Sequence, residues 1–417
     1  MKNFQNRISS LVVAASAFAA LALGGCGGAP NSFGAVPATL AAPTPALAQT
    51  SQATATAVKR EAGTTTLVYN PPAGEAPYFP SSPFKQNIPN PPSANANNAA
   101  WIANAEQTGP FGVAPIYAYT SRAPNTNELA FPVFLNHQGS NTPVRLHCTK
   151  NYGGPSHPCN FEGMTVYVDS RELPQGGGFT SSPNNDSHWA LIDPAAGYEY
   201  DAWNTSWPPV NGTLTVGWGG RCALGGNGFT NPSFNGQAWE SGCGGDASET
   251  PQSMGTIRAK DLLAAAQTGG ALPQALNYAM GCPGKVSALM APFLSAGDGR
   301  CAGAAPEGSH LYLAMHDAEV NALGASPIVS AILRTLDEDH HGAFVTDSGD
   351  AASGTIMLNV QSDQTYAAFG QGKPWLDAFL PEARNEGLPT YSVPSEDRIG
   401  IQLPLPASVS WSNLRFL

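Results

Sequence analysis

Asp186-Ser187-His188-Trp189-Ala190-Leu191-Ile192-Asp193, then Pro194-Ala195-Ala196-Gly197, then Tyr198-Glu199-Tyr200-Asp201-Ala202-Trp203, is the stretch whose reading decides the fold. It reads as two β-strands joined by a four-residue turn, a loop length common in hairpins. With the turn at Pro194 to Gly197, Asp193 opposes Tyr198 and each earlier residue opposes a later one. Side chains alternate along a strand, so His188 shares a face with Glu199, Asp201 and Trp203, and Asp186 joins them if the strand reaches back to it. Trp189, Leu191, Tyr198 and Tyr200 take the opposite face, which suits a core. The first face gathers carboxylates, an imidazole and an indole, as an active or binding cleft on a sheet would. A one-residue slip would exchange the two faces.

Working outward, strands are expected at Val113–Thr120, Phe131–Leu135, Val144–Cys148, Met164–Val168 and Thr213–Trp218, with turn residues between them. Asn98 to Gln107 has helical composition and stops at Gly109. From Ile257 to Met280 the apolar spacing predicts two short helices, broken at Gly269-Gly270. Ser326-Pro327 predicts a helix start, with a capping hydroxyl and a proline at the first helical position, and Gly342 is placed to close it. Strands at Leu311–Met315, Ala343–Thr346 and Thr355–Val360 flank it, and Pro374 to Leu380 is another short helix. The expected fold is mainly β, an antiparallel sandwich or barrel-like sheet with a few short helices packed late in the chain, about 257–390, and no internal repeat.

Gly (45) and Pro (37) are abundant and only 12% of residues are charged, which suits an exported β-protein with long loops. The net charge of −11 argues against nucleic acid and against adsorption on anionic lipid. Glycine pairs and triplets such as Gly176-Gly177-Gly178 and Gly219-Gly220 read as turns and lack the strand-to-helix context a nucleotide needs.

Lys2 and Arg7 form a positive start, and Leu11 to Leu23 is an apolar run too short to span a bilayer comfortably. It ends in Leu23-Gly24-Gly25-Cys26, which resembles the bacterial lipobox. The resemblance implies that residues 1–25 are a signal peptide, that Cys26 is lipidated, and that the protein sits in the bacterial cell envelope. Gly27, where an inner-membrane signal would have Asp, points to the outer membrane. Lipid is then the only membrane attachment. Residues 26–65 are Ala, Pro and Thr-rich and read as a disordered tether, leaving 66–417 as a single β-rich domain. Six further cysteines in an exported chain imply disulfides, and neighbours in sequence are expected to pair: Cys148–Cys159, Cys222–Cys243 and Cys282–Cys301.

Several fragments in order are similar to a widespread, poorly characterised family of secreted bacterial proteins. They include Asn98-Ala99-Ala100-Trp101-Ile102, Asp186-Ser187-His188 through Asp193 to Tyr200, Gly217-Trp218-Gly219-Gly220-Arg221, Gln274-Ala275-Leu276, and Glu307-Gly308 before Leu311-Tyr312-Leu313. The resemblance spans most of residues 75–350 and implies a fold and an envelope location, without a particular reaction. Relatives often carry histidine where this chain has Gln274, so no second histidine is carried over there.

The hairpin face carries the functional expectation. Retaining glycosidases hold two carboxylates about 5–5.5 Å apart, roughly the spacing of i and i+2 on one strand, which fits Glu199 and Asp201. His188 would tune them or act as the base of a lyase, with Asp186 orienting it. Trp203, Trp207 and Trp218 would stack on sugar rings and Arg221 would meet a uronate. This points to a glycoside hydrolase or polysaccharide lyase whose partner is an extracellular glycan. The alternatives are a non-catalytic glycan- or partner-binding lipoprotein and an envelope scaffold. A plainer reading makes this a solvated sheet face with a salt-bridged histidine. No cofactor is expected; one histidine is too few for a zinc hydrolase, and calcium in the loop Asn184-Asn185-Asp186 would be structural. His310 and His316 should face one way, and Asp337, Asp339, His340 and His341 read as a helix C-terminal turn. There is no G-x-S-x-G and no H-E-x-x-H.

Overall fold

The computed structural model describes residues 79–108, 113–119, 130–136, 142–150, 159–180, 186–229, 244–284, 301–348, 357–393 and 398–417. All fall within one unit, Arg60–Leu417. The signal peptide, Cys26, the tether and Cys243 lie outside the described residues.

In chain order the strands are β1 (Val113–Tyr119), β2 (Val133–Leu135), β3 (Thr142–Cys148), β4 (Thr165–Val168), β5 (Trp189–Asp193), β6 (Tyr198–Trp203), β7 (Thr213–Val216) and β8 (Trp218–Ala223). There follow β9 (Leu276–Met280), β10 (His310–Leu313), β11 (Ala343–Ser348), β12 (Met357–Leu358), β13 (Thr390–Val393), β14 (Arg398–Leu403) and β15 (Leu414–Phe416). The helices are α1 (Asn98–Thr108), α2 (Ala259–Thr268), α3 (Asp317–Ala322), α4 (Pro327–Leu336), α5 (Gln364–Ala367) and α6 (Leu380–Asn385).

The protein is mainly β, built from open sheets that do not close into a barrel. Their orders are β1-β14-β13, β12-β9-β11-β10-β15, β2-β5-β6-β8 and β4-β3-β7. The first is antiparallel; each of the others contains one parallel pair, β9–β11, β2–β5 and β3–β7. Parallel neighbours need long crossovers, which is why the hairpin-rich sequence pattern did not announce them.

Three apolar layers order the sheets. Trp189, Leu191 and Tyr200 pack with Val144, Leu146, Val166 and Leu214 between the β2-β5-β6-β8 and β4-β3-β7 sheets. On the other side of that four-stranded sheet, Ala190, Ile192 and Cys222 meet Phe84, Met254, Ala275 and Phe344. Phe344 belongs to β11, so this layer leads to the five-stranded sheet. The far face of that sheet carries Leu276, Tyr278, Leu311, Leu313 and Val345 against α1, α2 and α4. Within α4, Ser326 Oγ accepts from Val329 N at 3.4 Å, as its sequence predicts.

Two local expectations are corrected. Leu276–Met280 is a fully buried strand rather than a second helix; a short apolar run has no decisive period, and pairing with β11 wins. Gly219 and Gly220 are strand residues of β8, not a turn. A Cβ on Gly219 would lie 2.2 Å from the Asp201 carbonyl oxygen and 2.5 Å from the Phe161 ring, so β8 can approach β6 here only as glycine.

Disulfides join Cys148 to Cys159 and Cys282 to Cys301. Cys222 is also disulfide-bonded, to a partner outside the described residues.

Candidate functional site: a buried carboxyl pair under a strap

The register of β5 and β6 is the one the turn dictates: Asp193 opposes Tyr198, Ile192 opposes Glu199, and Ala190 opposes Asp201. Glu199 and Asp201 therefore share a face with Ala190 and Ile192, while Trp189, Leu191 and Tyr200 face the other core. The expected sorting holds for Glu199, Asp201, Trp189, Leu191 and Tyr200, but Trp203 packs against the opposite core and the acid face opens on no groove. Glu199 and Asp201 have no exposed surface and His188 is 3% exposed.

What covers them is residues 244–256, a strap that crosses the acid face. Its backbone serves the carboxyls directly: Gln252 N donates to Asp201 Oδ2 (3.0 Å) and Ser253 N to Glu199 Oε1 (2.9 Å). Ser253 Oγ donates to Glu199 Oε2 at 2.5 Å. The Gln252 side-chain amide reaches His188 Nδ1 at 2.7 Å. The strap also holds the five-stranded sheet, through Ser248 N to Thr346 O (3.1 Å) and Asn277 N to Gly255 O (3.0 Å). Close approach needs glycine at Gly245, whose Cβ would stand 2.9 Å from the Ala202 backbone.

The strap brings its own acids. Asp246 is 7% exposed; its Oδ1 accepts from Thr250 N (2.7 Å) and Ser248 Oγ (3.1 Å). Neither Asp246 nor Glu249 figured among the sequence candidates, because a polar run such as Gly244-Gly245-Asp246-Ala247-Ser248-Glu249 carries every mark of a solvated loop.

Burial governs the ionisation. Removal from water pushes the Asp246 carboxyl up to about 7, against its hydrogen bonds, and pushes Glu249 up to about 8, helped by the Asp246 charge. Burial likewise raises Glu199, opposed by the Ser253 donors, and raises Asp201 well above the usual range, helped by the charges of Glu199 and Asp246. Glu199 and Asp201 lie close enough to perturb each other's ionisation. Asp201 Oδ1 accepts no hydrogen bond, so burial of this carboxyl is only partly compensated. Burial lowers His188 to about 4, with Asp186 opposing. His188 is thus neutral, packed against the Phe131 ring at 4.8 Å.

The remaining candidates separate. Ser187 has φ 51°, a left-handed residue that breaks the strand just before His188 and turns Asp186 outward to an exposed position. Asp186 Oδ1 there accepts from Trp203 Nε1 at 3.0 Å, and the Lys150 ammonium lies 4.0 Å over the Trp203 ring. Trp207 and Trp218 are 6% and 7% exposed, core residues rather than sugar subsites; their indoles fill the inter-sheet layer. Arg221 opposes Tyr200 and covers the Tyr198 ring at 4.5 Å, on the face away from the acids, so it cannot meet a sugar held near them. Asn184 and Asn185 of the calcium loop lie outside the described residues, and no metal-ligating group gathers around Asp186 among the described ones.

His310 and His316 do not face one way. His310 stacks on Phe344 at 4.0 Å and bonds the His341 carbonyl, whereas His316 caps α3 in the open. Neither a family model, nor a curated protein, nor a solved structure matches this chain, so the reading of the site rests on its own geometry.

Proposed function

We propose that this is an exported, lipid-anchored envelope protein that holds extracellular polysaccharide without cleaving it. The burial of the acids carries the non-catalytic half of that reading. A general acid must come within hydrogen-bond reach of the glycosidic oxygen, and the positions beside Glu199 and Asp201 are taken by the backbone of Gln252 and Ser253. The acids fasten a strap. The binding half rests on the rim outside it, where the half-buried Trp203 ring stands between the exposed Asp186 and the half-buried Lys150. An aromatic face flanked by charged hydrogen-bonding groups is a common platform for a sugar.

One observation favours a second reading, hydrolase or lyase. A carboxyl whose ionisation is raised by burial beside an acidic partner is what general acid catalysis uses, and burial raises both Glu199 and Asp201, the latter further through the Glu199 charge. That reading requires the strap to lift.

The test is a polysaccharide panel with the full chain, measured for binding, for new reducing ends and for unsaturated products. The expected result is binding without products, weakened at least tenfold in Trp203→Ala and unchanged in Asp201→Asn if that variant folds. Products that vanish in Asp201→Asn while affinity persists would replace the binder with the enzyme. Neither binding nor products with any polysaccharide would refute both.

A further inference from the structure

Asp317, Asp337 and His340, separated in sequence by up to 23 residues, meet at one corner of the fold. Asp317 opens α3, just past the end of β10; Asp337 caps the C-terminus of α4; His340 follows in the turn. His340 Nδ1 lies 2.8 Å from Asp337 Oδ1 and 3.8 Å from Asp317 Oδ1. One ligand atom from each of the three lies within 4.8 Å of the others. Zinc ligands about 2.0–2.2 Å from the ion stand roughly 3.3 Å apart, so small side-chain rotations would close this group around a cation.

A second observation points to a ligand. Asp337 has no exposed surface, and its Oδ2 accepts no hydrogen bond. Asp317 Oδ1, which points at the same ring, is also shielded and without a donor. Leaving buried carboxylate oxygens unsatisfied is costly. Asp337 Oδ1 is meanwhile fixed by Asp339 N at 3.0 Å, and Asp339 Oδ2 accepts from Asp317 N at 2.9 Å. The Asp337 carboxylate is thus held by a neighbour, as metal ligands are by their supporting partners, and the Asp317 backbone is anchored to the same Asp339. Five acids crowd this corner, Asp317, Glu319, Asp337, Glu338 and Asp339. The permanent cation is Arg334, whose Nε lies 3.8 Å from Asp317 Oδ1 and whose Nη2 is engaged by Asn321. His316 is turned to Glu338 and Asp339 and stands outside the three.

We propose that Asp317, Asp337 and His340 form a binding site for a divalent transition-metal cation, zinc foremost. One imidazole nitrogen with two carboxylate oxygens is a borderline donor set that suits zinc. Calcium wants six or more oxygens, which three side chains do not supply. The remaining coordination position falls to water.

The experiment uses the full chain, stripped with chelator and titrated with zinc sulfate by calorimetry, with metal content measured after desalting. The expected result is one zinc per chain with micromolar or tighter affinity and a higher Tm when loaded. His340→Ala and Asp317→Asn should each weaken it at least tenfold, His316→Ala should leave it within twofold, and millimolar calcium should not compete. Cobalt substitution on the unaltered protein gives a readout free of folding artefacts: visible absorption of a four-coordinate site. No zinc binding at 100 micromolar, or zinc affinity unchanged in folded His340→Ala or Asp317→Asn, would overturn the proposal. So would cobalt bound with only the weak spectrum of the aqueous ion.

Discussion

Replacing Asp246 by Asn separates the strap's electrostatics from its packing. The folded carboxyl holds its proton to about pH 7, whereas in the unfolded chain it ionises near the ordinary 3.8. Between those values the folded state binds more protons than the unfolded one, so stability falls as pH rises, and the loss is complete above about 7. Integrating from pH 5 to pH 8 gives about 2.5 kcal/mol, at roughly 1.4 kcal/mol per pH unit over just under two units. Asn keeps an oxygen for Thr250 N and Ser248 Oγ but carries no charge at any pH. The variant should therefore gain on the parent by about 2.5 kcal/mol between pH 5 and pH 8, or about 4 °C in Tm for a domain of this size. Relief of Glu249 acts in the same direction. Taking the difference between two proteins cancels His188, whose depressed value works with the opposite sign. Chemical denaturation at both pH values provides the measurement. A gap that stays flat, or closes as pH rises, would refute the view that Asp246 is buried with its proton.

His188, lowered to about 4 by burial, should stay neutral from pH 8 to pH 5, while His316 titrates above the usual imidazole value because Asp339 and Glu338 face it. Nitrogen chemical shifts of the rings would report it, and a His188 shift change centred near 6.5 would contradict the burial. Its stability contribution is present above the unfolded value of about 6.5 and is lost as pH falls towards 4, since only the unfolded chain then takes the proton. Gly219→Ala drives a methyl to 2.2 Å from a backbone oxygen of β6 and should cost about 3 kcal/mol or more. An unchanged midpoint in urea would mean that β8 lies further from β6.

Much of the site was legible because the hairpin is local. A four-residue turn fixes which residues oppose, and alternation then sorts Glu199 and Asp201 from Tyr200 without further information. The cap of α4 at Ser326 and the short disulfide loops were legible for the same reason. What escaped depends on contacts distant in sequence. Nothing in Gly244 to Thr256 marks that run as buried; only its fit between two sheets puts it there. The exposure of the acid face was misjudged accordingly, since a sheet face bearing carboxylates looks solvated until its cover is known. Trp207 and Trp218 were misread for want of the second sheet that encloses them. Asp337 and His340 read as an ordinary helix end because their partner, Asp317, comes from the preceding helix.

The strap also orders events in time. β5 and β6 adjoin in the chain and can pair early, whereas Gln252 meets Asp201 across 51 residues, a slower closure. Until it arrives, Asp246 and Glu249 on the strap ionise in water near the ordinary carboxylate values, whereas the finished structure raises them to about 7 and about 8. Proton uptake therefore belongs to the last stage of assembly rather than the first, and a pH indicator present during refolding should register it there. An alkaline compartment would hinder the finishing of this protein more than its beginning.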